Sequence, residues 1–276
     1  MTKDPTFYRP FEFGLHSVLF STLNPKEHSA IKSLYSSYFS QKGVHRLEHI
    51  IQERVDKLVS QLSLNHKTSP VNMNHAFRSV TLDVITLYTL RTSLNATSFP
   101  SFRHPAILSM DAAISTVWIF THLPFLRNAF NLPKWLSALV APSSKPMAEM
   151  QAEVEKLVDK ALRDYHHYDS DSDTELNVFY TLLHNAQIDG KLKQSSRVTR
   201  DWLIAEGVSL RIAGSDTVGN TCTIGARCLA RDEGVRAKLL EELEAAWPNK
   251  GDRMSLGRLE KLPYLVRTNH RLKRQN

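Results

Sequence analysis

Residues 201–231 read DWLIAEGVSLRIAGSDTVGNTCTIGARCLAR, and this stretch decides the fold. It contains no proline and both flanks carry helical patterning, so it reads as one long helix. Four of the chain's ten glycines, Gly207, Gly214, Gly219 and Gly225, fall inside it. Each costs about 1 kcal/mol against alanine in a helix interior. Glycines make sense there if the backbone must come close to something, either a bulky flat group or a neighbouring helix. At the centre, Ala213-Gly214-Ser215-Asp216-Thr217 sets an acid beside a hydroxyl directly after a glycine. A threonine in this place can bond back to a carbonyl and bend the helix, opening a small pocket. An Asp–Thr pair facing that pocket could relay protons.

Working outward, helical periodicity dominates. Val44, Leu47, Ile51, Val55, Leu58 and Leu62 step by three or four and predict one buried stripe. Met147, Met150, Val154, Leu157 and Ala161 repeat the pattern, as do Val235, Leu239, Leu243 and Trp247. Phe77 to Leu90 has helical spacing but is rich in Thr, Val and Ile, which weakens the signal. Pro100 and Pro105, Pro142 and Pro146, and Pro248 with Gly251 mark the breaks, and Asp169–Glu175 is an acidic loop. With no alternating strand run and no internal repeat, the expected fold class is all-α, a single helical domain over residues 1–276.

Composition narrows the function classes. The 276 residues are 42% apolar and 23% charged, enough for a sizeable core. Two cysteines exclude a disulfide scaffold, a four-cysteine zinc site and a cysteine-held iron–sulfur cluster. Cys222 and Cys228, six apart, sit on well-separated helix faces and do not pair. The longest uncharged apolar stretch, Ala112 to Leu126, is short for a membrane span, and the first twenty residues show no secretory signal. The expected location is intracellular, soluble in the cytoplasm or only peripherally attached to a membrane. The net charge of +7 comes from scattered residues, with one dense basic run from Arg267 to Arg274, so no nucleic-acid partner is expected.

Three short patterns point elsewhere and carry little weight. His45-Arg-Leu-Glu48-His49 matches H-x-x-E-H, in which two histidines on a helix can hold zinc beside a glutamate base. No third ligand accompanies it, and in a chain with 12 histidines a solvated helix face is the expected reading. Asp169, Asp171 and Asp173 resemble the start of a calcium loop, but Thr174 replaces the turn glycine and Tyr180 the bidentate glutamate. Asn95-Ala-Thr97 is a glycosylation sequon without a secretory route.

The central segment also carries a family resemblance. Ala213-Gly214-Ser215-Asp216-Thr217 resembles the oxygen-activation motif in the long central helix of cytochromes P-450, the haem-thiolate monooxygenases. Lys238–Leu243 and then Leu259–Leu265 resemble the family's run toward its K helix, and Phe20–Pro25 with His28–Ser40 its C-helix region. Phe77 through Asp83-Val-Ile is similar to the next helix of the fungal members, closest to trichodiene-oxygenase-like enzymes of secondary metabolism. The ordered set spans about residues 4 to 265. The resemblance implies a haem resting against Ala213 and Gly214, with His28 and Lys32 near its propionates. Lys32 would be a point charge in place of an arginine fork. Asp216 and Thr217 would assist protonation of bound oxygen. It further implies electrons from NADPH through a reductase, and a hydrophobic terpenoid or polyketide substrate lined by the region from Phe99 to Leu136.

The departures from the family set the functional expectation. Arg271 stands where the K-helix glutamate belongs, opposite Arg274, so like charges replace an ion pair. The N-terminal anchor, the first sheet and the Phe-x-x-Gly loop bearing the axial cysteine have no counterpart in these residues, and both cysteines lie on the oxygen side. The expectation is therefore a shortened cytochrome P-450 that does not catalyse as written. Its alternative is a non-catalytic helical remnant or interaction module with a partner on the exposed proximal face.

Overall fold

The long stretch is realised as a single helix of 32 residues, Arg200–Arg231. Thr199 starts it, its hydroxyl accepting from the Trp202 amide at 3.2 Å. Asp232 ends it and caps the next helix through the Val235 amide at 2.9 Å. The computed structural model describes residues 3–12, 16–65, 70–123, 144–165, 177–188, 198–249 and 251–273. Among them the helices run α1 (Pro5–Tyr8), α2 (Pro25–Leu34), α3 (Gln41–His45), α4 (Glu48–Asn65), α5 (Met73–Leu90) and α6 (Pro105–His122). They continue as α7 (Ser144–Asp164), α8 (Val178–Ile188), α9 (Arg200–Arg231), α10 (Glu233–Ala246), α11 (Leu256–Leu259) and α12 (Pro263–Lys273). Three short 3-10 turns complete the described structure, which holds no strand.

The core is built around α9. Its first two turns, Trp202 to Val208, are buried on every side, while beyond them only Arg211, Ser215, Gly219 and Gly225 are buried. Ser215 and Gly219 face α5, the principal neighbour, and Arg211 reaches Glu153 of α7 alongside at 2.8 Å. α7 contributes Met150, Val154, Val158 and Ala161, the inner face its periodicity predicts. Helix α5 forms in full despite its β-branched residues, because burial of Ala76, Val80, Leu82 and Leu90 outweighs a few tenths of a kcal/mol of propensity per residue. Asp83 is fully buried in α5 and pays for that by accepting from the amides of Ala96 and Thr97, both at 2.9 Å, and from the Thr97 hydroxyl at 2.7 Å. Thr97 of the sequon is thus locked inside.

Two expectations are corrected. The stripe from Val44 to Leu62 is not one buried face: Val44, Ile51 and Val55 are exposed, and only Leu58 is fully buried. The chain breaks between α3 and α4, and α4 then turns Arg54 and Leu58 inward. For the same reason His45 ends one helix while Glu48 and His49 begin the next. Glu48 serves instead as a distant cap, its carboxylate accepting from the Leu256 amide of α11 at 2.7 Å. Glu242 of α10 does likewise for α12, accepting from the Tyr264 and Leu265 amides, each at 2.8 Å.

Candidate functional site

Successive side chains on a helix point about 100° apart, so the five residues Ala213 to Thr217 address different surroundings. Gly214 faces α5: a Cβ there would overlap the Ile85 side chain. Gly207 meets Val154 and Phe179, and Gly219 meets the backbone and Cγ of Arg78. At these three positions a neighbouring helix fills the space beside the glycine, which accounts for the small residues by close helix packing. Ser215 is buried and donates to the Arg78 carbonyl at 3.2 Å, while its own carbonyl accepts from the Thr81 hydroxyl at 2.8 Å. These two bonds stitch the motif to α5.

Asp216 turns into the same seam. Its Oδ1 lies 2.8 Å from Nε of Arg78, whose side chain is 3% exposed against 18% for Asp216. Nη1 of Arg78 reaches Asp111 of α6 at 2.6 Å. The Asp216 Oδ2 accepts from Asn220 at 3.3 Å, and Asn220 accepts in turn from Asn74 of α5 at 2.7 Å. Ala213 and Thr217 point the other way and are exposed. The Thr217 hydroxyl donates back to the Ala213 carbonyl at 2.8 Å, the back-bond that the sequence suggests. Acid and hydroxyl are therefore neighbours in sequence that face different surroundings, the acid held by a cation and the hydroxyl at an open edge.

Two turns N-terminal to the motif, Glu206 is buried in α9. Its carboxylate accepts from the Leu19 amide at 2.5 Å, and burial together with that carboxylate pushes the Tyr35 hydroxyl well above the usual phenol range. Leu19 begins a cationic corner. Its carbonyl and that of Phe20 accept from Lys3 Nζ at 3.3 and 2.7 Å, and the ammonium also lies over the Tyr8 ring. His28 and Lys32 stand one turn apart on α2. Partial burial lowers the His28 pKa, and the charges of Lys3 and Lys32 lower it further. Among the described residues Lys3, His28 and Lys32 form no ion pair. The corner is tied to the motif's own helix through Leu19 and Glu206.

Of the residues predicted from sequence, Ala213, Gly214, Asp216 and Thr217 thus share one helical turn, while His28 and Lys32 share one face of α2. Arg78, Glu206 and Lys3 were not singled out from the sequence. A lone arginine inside the apolar run from Phe77 to Leu90 is the signal that could have found Arg78. Cys222 and Cys228 are both on α9 and form no disulfide, and the first is exposed. The acidic loop, Arg274 and the lining region beyond Leu123 lie outside the described residues, as does the side chain of Arg271. No helix among the described residues is long and apolar enough to cross a membrane.

A family model described as cytochrome P450 matches residues 2–270. Cytochrome P450 monooxygenase orf6 of Eupenicillium brefeldianum is 26% identical over 257 residues, which are 93% of this chain and 50% of that protein. Cytochrome P450 monooxygenase TRI4 of Trichoderma arundinaceum is 28% identical over 271 residues, 97% of this chain and 50% of its own length. The cytochrome P450DA heme domain superimposes over 99% of this chain and 55% of its own, with a TM-score of 0.76 at 16% identity. The chain spans about half the length of the curated relatives it matches. Its helical order, its central motif and the match over nearly all its residues agree: this chain belongs to the cytochrome P450 family.

Proposed function

We propose that the chain forms the oxygen-side wall of a haem monooxygenase of fungal secondary metabolism, acting on a hydrophobic terpenoid or polyketide. The observation that carries this reading is the cationic corner of Lys3, His28 and Lys32, linked through Leu19 and Glu206 to the helix whose exposed edge is Ala213 and Thr217. Two lysines without a carboxylate partner, beside a histidine that can donate a hydrogen bond, suit a pair of propionates, and an edge of small residues suits the face of a flat macrocycle. His28 and Lys32 would bind the propionates, and Ala213 would bound the ring, since Gly214 is turned to Ile85 of α5. When bound, the haem supplies the oxygen chemistry, with electrons drawn from NADPH through a reductase. Thr217 presents a hydroxyl at the open edge, and Asp216 is the nearest acid on the same turn, held by Arg78.

The residues suit one face of a haem and supply no axial thiolate. An axial sulfur must approach from the face opposite α9, and both cysteines belong to α9 itself. Cys222 lies eight residues beyond Gly214, about 12 Å along the helix axis. The desolvation of its thiol raises its pKa, which also disfavours a thiolate. By itself this chain is therefore a haem-binding scaffold without monooxygenase activity. The test is to add haem to the purified chain, reduce it and expose it to carbon monoxide. Haem absorbance that follows the protein, weakens in a double His28→Gln, Lys32→Gln variant and shows no thiolate-type difference band is expected. A thiolate-type band would overturn the assignment of the cysteines, and absence of haem binding would overturn the scaffold reading.

A second reading is favoured by the exposed apolar residues Ile51, Val55 and Val59 along α4. They suit a helical module that binds a partner there.

A further inference from the structure

One guanidinium serves two carboxylates on two different helices. Arg78 of α5 is 3% exposed and carries its charge inside the protein, where a cation without partners is costly. Nη1 donates to Asp111 of α6 at 2.6 Å, and Nε lies 2.8 Å from Asp216 of α9 as an ion pair outside hydrogen-bond geometry, while Nη2 has no hydrogen-bond partner. Asp111 is 48% exposed. Helix α6 packs chiefly on α7 and touches α5 little, so the Asp111–Arg78 bond is one of few ties from α6 to the α5–α9 pair. The same helix bares Leu108, Trp118 and Ile119, an apolar surface on which a hydrophobic molecule can settle.

We propose that Arg78 is the positioning residue of the Ala213–Thr217 turn, holding Asp216 in the α5–α9 seam and passing the position of α6 to it through Asp111. The two carboxylates share one cation and repel each other. When α6 carries Asp111 away, the whole charge of Arg78 falls on Asp216 and the turn tightens; when Asp111 returns, the hold is divided. The fork matters: Arg spreads its charge over a planar group that bonds Asp111 through Nη1 and faces Asp216 with Nε, whereas a lysine ammonium in the same place is a single point charge. Other polar groups at the seam are Asn220 on α9, which donates to Asp216, Asn74 on α5, which donates to Asn220, and the hydroxyls of Ser215, Thr81 and Thr223. This inference rests on the reading of Asp216 as part of the oxygen-side wall, but its test needs no haem, so the two fail separately.

The experiment is backbone hydrogen exchange over residues 213–221 of the full chain, in a cycle of Asp111→Asn with Arg78→Gln and with Arg78→Lys. Asp111→Asn alone is expected to slow exchange in this turn by roughly threefold or more, and Arg78→Gln to speed it by about tenfold, the range of coupled neighbours. In both the Arg78→Gln and the Arg78→Lys backgrounds, Asp111→Asn is expected to have no further effect on the turn. The lysine variant keeps the charge in place, so the comparison survives if the glutamine variant fails to fold. Unchanged or faster exchange in Asp111→Asn overturns the proposal, as does an Asp111 effect that persists without the arginine fork. A merely structural Arg78 would shift stability in all variants without making the Asp111 effect depend on the fork.

Discussion

Gly214 shows how much a single missing Cβ decides at the residue scale. Because a Cβ there would overlap Ile85, Gly214→Ala is expected to lower stability by about 1–3 kcal/mol despite alanine's better helix propensity. Gly257, in α11 with nothing near its missing Cβ, is the control: Gly257→Ala should leave stability unchanged or raise it by about 0.5–1 kcal/mol. Urea midpoints of the two variants, and of Gly214→Ala combined with Ile85→Ala, separate crowding from propensity, since the second change should recover part of the loss. The glycines themselves were legible in the sequence, but what they make room for was not. Side-chain contacts across α5 and α9 join residues more than a hundred positions apart, as in the bond from Ser215 to Arg78, and no local pattern encodes them. The ion pair of Asp216 with Arg78 was hidden for the same reason.

Among the elements, α6 carries a pH-sensitive cap. Nδ1 of His104 accepts from the Ala106 amide at 3.2 Å, which requires that nitrogen to be unprotonated. Burial lowers the His104 pKa from its ordinary 6.5, the Arg211 charge lowers it further, and Asp83 and Glu153 act in the opposite direction. With the folded value below the unfolded one, the unfolded chain takes up the proton first as pH falls. The stabilisation is therefore complete above about pH 6.5 and lost as pH falls through the depressed folded value. Thermal melts from pH 7.5 to 5 should show a loss of about 1 kcal/mol in the parent that is absent in His104→Asn, since asparagine caps without titrating. The inner face of α7 was readable from its three-and-four spacing. That of α4 was not, because the pattern was carried across the bend at Arg46 and Leu47 and because Arg54, a charge, occupies the inward side.

The whole molecule wears apolar surface on helices that elsewhere bury it. Ile51, Val55 and Val59 form a line along α4, and Val218 and Leu240 are bare on α9 and α10. Concentration-dependent self-association is the expected behaviour, followed by light scattering. The triple variant Ile51→Gln, Val55→Gln, Val59→Gln should suppress it while shifting the urea midpoint little, because exposed side chains contribute little to folding. If association persists unchanged, α4 is not the surface responsible. The all-α class was legible from periodicity alone, and the family from the order of its motifs. The direction in which each functional side chain points emerged only once α5 and α9 were laid together.

Helix α9 is gripped all round from Trp202 to Val208 and afterwards along a single line of small and polar residues. Mechanically it is a cantilever, about 48 Å long, rooted at one end. Deflection of such a beam grows with distance from its root unless something braces it, and the braces here are Gly219 against the Arg78 backbone and Asn74 bonded to Asn220 and Thr223. Asp216, halfway out and braced sideways by Arg78, is the first of these supports, so a displacement there is passed to every contact that α9 makes with α5 beyond it.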